Sequence, residues 1–90
     1  MDDQITISVQ FTITRVNGKV IVEMVGQCEE EYKKLALCMI EQKVDKAARK
    51  TSAAKLDKVG QVEPHQFYRG FIFPNEEKKD DFFKELQKEQ

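Results

Sequence analysis

A chain of 90 residues has room for one hydrophobic core, and division into two would leave each half too small to bury enough apolar surface. Hydrophobic residues are 40% and charged residues 34%, a globular balance that sets aside both a disordered chain and a membrane-spanning one. The net charge of -1 excludes wholesale electrostatic attraction to nucleic acid.

The acidic start Met1-Asp2-Asp3-Gln4 lacks the basic segment and apolar run of a secretory signal, so the expected location is the cytoplasm. Ile5, Ile7, Val9, Phe11 and Ile13 then alternate with Thr6, Ser8, Gln10, Thr12 and Thr14, the period-two pattern of a strand with one wet face. Asn17-Gly18 supplies the positive φ angles that a type I′ turn needs. With that pair in the turn, Val16 faces Lys19, Arg15 faces Val20, Ile13 faces Val22 and Phe11 faces Met24. The spacing therefore predicts a hairpin with Ile7, Val9, Phe11, Ile13, Val22 and Met24 on one buried face.

Gly26 ends the second strand, and Gln27 to Val59 contains neither Pro nor Gly. Glu29, Glu30 and Glu31 open a helix where carboxylates complement the macrodipole. At about 100° per residue, Cys28, Tyr32, Leu35 and Met39 form one stripe, expected under the hairpin. Leu37, Ile40, Val44 and Ala47 form a second row that needs another cover. What the last helix leaves of that row is expected to be an exposed strip, the contact for a protein partner or a symmetric dimer. Lys43, Lys46 and Lys50 continue the first stripe beyond the sheet's edge. Thr51-Ser52 can break the helix and cap a second one over Ala53 to Val59, and Gly60 with Pro64 closes the region.

Phe67 to Phe73 reads as a third strand with Phe67, Phe71 and Phe73 on one face. Asn75 is a suitable N-cap for a last helix with Phe82, Phe83 and Leu86 as its apolar side. The expected fold class is α+β: an N-terminal antiparallel hairpin, a long central helix that is either continuous or broken near 51-52, a third strand and a C-terminal helix, with helices on one face of a small sheet. Residues 1-90 form one domain in this reading, and the polar row from Thr6 to Thr14 lies on the open face.

Catalytic and metal chemistry find few convergent groups. His65 is the single histidine and stands in a connection after Pro64, without an orienting partner. Successive glutamates on a helix point apart and cannot share an ion. Cys28 and Cys38, ten positions apart in one helix, lie too far apart for a disulfide, so both read as free thiols filling the core in a reducing compartment. The glycines at 18, 26, 60 and 70 are too scattered to cradle phosphate. No enzyme, cofactor, metal site or small-molecule substrate is expected.

Charge distribution says more than net charge. Residues 1-31 carry six acidic and two basic groups, whereas 43-58 carry six basic and two acidic ones. Lys43, Lys46, Arg49, Lys50, Lys55 and Lys58 are therefore the candidate contacts for an anion or a nucleic-acid backbone, set against the plainer reading of a solvated helix end. Tyr68 with Arg69 is a candidate base-stacking pair if that strand is open. The spacing Tyr68-x-Gly70-x-x-x-Pro74 resembles a stretch in some phage recombination accessory proteins. That likeness spans seven residues and carries no family assignment; the role it would go with is a nucleic-acid-binding accessory one in phage-type replication or recombination. The leading expectation is a non-catalytic protein-interaction module, an adaptor or regulator that self-associates or binds a partner; the nucleic-acid accessory protein is the alternative.

Overall fold

Asn17 and Gly18 take φ angles of 50° and 81°, the geometry whose twist matches the strands on either side. In the computed structural model, which describes residues 7–56 and 63–88, this turn joins β1 (Ser8–Val16) to β2 (Lys19–Gln27). Val16 lies opposite Lys19, Arg15 opposite Val20, Ile13 opposite Val22 and Phe11 opposite Met24, the register that turn chemistry predicts. After β2 come a 3-10 turn (Glu30–Tyr32), α1 (Lys33–Ile40), a π-helical segment (Glu41–Asp45) and α2 (Lys46–Lys50). The two-residue strand β3 (Ala54–Lys55), then β4 (Gln66–Phe73) and α3 (Glu76–Lys88), complete the described chain. The sheet is antiparallel with the order β1-β2-β4-β3, and the fold is α+β.

Large residues on the sheet decide which helix face meets it. Val20, Val22 and Met24 of β2 and Phe67, Phe71 and Phe73 of β4 share one buried face. Against those rings the helical stretch presents mainly small groups, Ala36, Ala47 and Ala48, together with Ile40 and Val44. Ala36, Ile40, Val44 and Ala48 recur every fourth residue, and in a regular α-helix each such step would drift about 40° off the sheet. The wider turn of the π segment between Glu41 and Asp45 absorbs that drift and holds the line on one face.

Two expectations about burial are corrected here. Of the stripe expected under the hairpin, Cys28 is buried and Tyr32 half-buried, but Leu35 and Met39 are turned outward, 51% and 42% exposed, while Ile40 and Val44 are 7% and 9% exposed. Ala47 is buried as well and Leu37 packs against the core, so the row Leu37, Ile40, Val44, Ala47 is not an exposed strip. The cause is steric: the second row abuts Ala36 and Ala48 and lets the helix approach the phenylalanines closely. The second correction concerns β1, whose apolar row shares the helix-side face but stays exposed. In this strand order β1 is the edge, and the helices pack over β2 and β4. Ile7 is partly buried, and Phe11 reaches α3 through an edge-on contact with Phe83, with ring centroids 5.3 Å apart.

The helix breaks at Thr51-Ser52. Thr51 Oγ1 donates to the Ala47 carbonyl at 2.8 Å, Ser52 takes a φ of 60°, and the Ala53 amide donates to the Ala48 carbonyl at 3.1 Å. This is a Schellman closure with Ser52 in the left-handed position usually held by glycine. No second helix begins there, because Ala54 and Lys55 pair with Ile72 and Phe71 as β3. Residues 57–59 of that expected helix, like Ile5, Thr6 and Gly60, lie outside the described residues. Asn75 Oδ1 accepts the Lys78 amide at 2.9 Å and caps α3 as expected, and Phe82 is fully buried among Phe71, Phe73 and Phe83.

Candidate interaction edge

β1 is nine residues long and, among the described residues, pairs on one side only, with β2. Residues flanking a two-residue hairpin turn form a hydrogen-bonded pair, and such pairs alternate along an antiparallel ladder. Val16, Thr14, Thr12, Gln10 and Ser8 thus direct their backbone groups to β2, and Arg15, Ile13, Phe11 and Val9 direct theirs outward. The outward residues include three of the strand's four apolar ones, Val9, Phe11 and Ile13, which are 45%, 37% and 40% exposed. An edge of this kind combines a row of backbone donors and acceptors with an apolar strip beside it. Arg15 is the one charged residue of the strand, and it is engaged by Glu76 at the start of α3. The strand holds no Pro, Gly or Lys, the residues that commonly blunt an edge.

Glu76 lies between Arg15 and Lys79, whose hydrogen bonds lower its pKa from 4.5 to about 2. That ties the top of β1 to the first turn of α3.

The opposite sheet face is less polar than expected. Ser8, Gln10, Thr12 and Thr14 line it on β1, but Ile21, Val25 and Ile72 stand beside them on β2 and β4. Tyr68 also lies on this face, where its hydroxyl donates to Glu23 Oε2 at 2.9 Å. Burial, followed by that carboxylate, raises the Tyr68 pKa to about 12. Arg69 points to the helix side, its Nε 3.4 Å from Asp45 and its Nη1 3.1 Å from the Tyr68 carbonyl. Tyr68 and Arg69 therefore form no pair on one face, since neighbours on a strand point opposite ways.

The basic segment divides between two flanks. Lys43, Lys46 and Lys50 line a shallow crease with Glu85, and Lys50 lies 3.6 Å from that carboxylate. Arg49 and Lys55 line a separate pocket of about 250 Å³ with Asp45, Ala48, Ala53 and Phe71. Lys58 lies outside the described residues. Neither flank gathers the whole row, because the helix carries the residues around its axis and the chain then turns into β3.

Cys28 and Cys38 are both free. Cys28 lies before the helix and is buried, its amide donating to the His65 carbonyl at 2.9 Å, whereas Cys38 is exposed on α1 and fills no core. His65 itself is exposed. Among the described residues no three His, Cys, Asp or Glu side chains converge as metal ligands, and no helix is long and apolar enough to cross a membrane. No protein family, curated protein or solved structure matches the chain.

Proposed function

We propose that the chain is a non-catalytic protein-interaction module, an adaptor or regulator, that receives an extended partner segment along the free edge of β1. The observation that carries this reading is the nine-residue edge itself, with Val9, Phe11 and Ile13 exposed beside it. Strand addition draws affinity from main-chain hydrogen bonds and specificity from alternate side chains, and β1 offers both kinds of contact on one strip. Leu35 and Met39, exposed on α1, are further apolar groups on the helical layer. Two free cysteines fit a reducing compartment such as the cytoplasm. The nucleic-acid alternative draws less support, because Lys50 faces Glu85 and the pocket of Arg49 and Lys55 also contains Asp45.

A fluorescently labelled peptide of alternating Thr and Val is a generic strand probe. Titrated against the protein at low protein concentration, it is expected to bind the wild type and Gln42→Lys, whose new charge lies on the exposed side of the π-helical segment. Ile13→Lys, which sets a charge on the apolar strip, is expected to lose it. No binding up to about millimolar peptide, an affinity of only about 4 kcal/mol, would count against the reading. Binding that Ile13→Lys leaves intact would place the site elsewhere.

A further inference from the structure

Resting on that reading, we infer that the segment received by β1 is β1 of a second copy, so that two chains form one continuous sheet of order β3-β4-β2-β1-β1-β2-β4-β3. The strand is complementary to itself. An antiparallel pairing about Thr12, the central residue of Ser8–Val16, overlaps all nine positions, and each shift of the axis to a neighbouring residue loses two of them. About Thr12, Phe11 of one copy faces Ile13 of the other and Val9 faces Arg15. These are the residues whose backbone groups point outward, so the parity that hydrogen bonding requires is met. Thr12 meets Thr12, and Gln10 meets Thr14 on the other sheet face, while Phe11 with Ile13 is an aromatic and β-branched pair of the favoured type.

Charge and layer geometry agree with this occupant. The two Arg15 residues lie at opposite ends of the paired strands, separated by six positions or about 20 Å at the usual rise. That is well beyond the screening length of about 8 Å in physiological salt, and each Arg15 is already matched by its own Glu76. The two-fold axis runs perpendicular to the sheet, so both helical layers lie on the same side. Val9, Phe11 and Ile13 of both copies, exposed in the single chain, then form one apolar strip between the two α3 helices, where Phe83 already touches Phe11. A foreign strand would have to supply that match in register and pattern, whereas a second copy carries it already.

Sedimentation equilibrium at a low and a high protein concentration tests the inference, with circular dichroism confirming that each variant is folded. The wild type is expected to move towards twice the 10.5 kDa chain mass as concentration rises. Ile13→Lys is expected to raise the dimer dissociation constant about tenfold or more, a loss of about 1.4 kcal/mol per factor of ten, while Gln42→Lys, at an exposed position of the π-helical segment, keeps the dimer. Val9→Lys serves as a second variant should Ile13→Lys fail to fold. A wild type that stays monomeric, or a dimer that neither apolar-strip variant weakens, would overturn the inference. If the monomer still binds the Thr-Val probe through β1, the second copy alone is excluded and the interaction module stands. If it binds neither, both readings fall.

Discussion

Replacing Gly26 by alanine isolates the packing of β2 on β4. Gly26 lies opposite Phe67, and a methyl group built on its α-carbon would fall into the Phe67 ring at Cζ and Cε2. Phe67 is 1% exposed. Gly→Ala inside a strand ordinarily gains about 0.5–1 kcal/mol through backbone entropy, whereas forcing extra volume into a packed core costs about 1–3 kcal/mol. Because the overlap here is with the ring itself, the upper part of that range applies and the net loss is about 2 kcal/mol. At about 4–8 °C per kcal/mol for a domain of this size, the melting midpoint drops by about 10 °C. Phe67→Leu removes the far ring atoms and makes room, so in the double variant Gly26→Ala becomes neutral or better. Urea unfolding of the wild type, the two single variants and the double variant gives the coupling energy, expected at about 2 kcal/mol. A midpoint raised by Gly26→Ala alone, or a double variant whose loss equals the sum of the singles, would refute the packing argument.

Phe82→Ala is expected to cost about 3–5 kcal/mol in the same assay, because the ring is fully buried among three other phenylalanines. Phe11→Ala, at a ring 37% exposed with Phe83 as its aromatic neighbour, is expected to cost about 1–2 kcal/mol when measured at low protein concentration. Tyr68 should ionise near pH 12 rather than 10.0, read by phenolate absorbance in a Tyr32→Phe background, and Glu23→Gln should bring the midpoint part of the way down. Because the folded pKa is raised, this group's stabilisation is complete below pH 10.0 and is lost as pH rises towards 12. Glu76 has the opposite sign: its contribution is complete above pH 4.5 and is lost as pH falls towards 2, and carboxyl NMR should place its midpoint near 2. Added salt should weaken that tie, since Arg15 and Glu76 are both largely exposed.

The hairpin was legible in the sequence because every signal for it is local. Asn17-Gly18 selects the turn, the turn sets the register, and the alternation of Ile7 to Thr14 assigns the faces. Burial of β1 was not legible, because the alternating pattern says which residues share a face and not how many neighbours the strand acquires. Only the insertion of β4 on the far side of β2 makes β1 an edge. The helical face misled for a related reason. Both rows suit a regular helix, and the choice between them is made by the phenylalanines of β4 and by a π segment that a constant 100° rotation does not anticipate. β3 is two residues long and has no periodicity to read. The exposed edge did have a signal: alternation from Ser8 to Thr14 in a nine-residue strand with a single charge and no Pro or Gly, next to a tight turn. Taken as a core strand, that pattern hid its other meaning.

Residue-resolved hydrogen exchange along β1 tests the open edge most directly, since the two backbone parities of one strand report on its two sides. At low protein concentration the amides of Gln10, Thr12, Thr14 and Val16 should exchange slowly, and those of Val9, Phe11, Ile13 and Arg15 quickly. At high concentration, or with the Thr-Val peptide bound, the second set should become protected while the first is little changed. Uniform protection of both sets at every concentration would show that the outer edge of β1 is already paired, and would contradict the account.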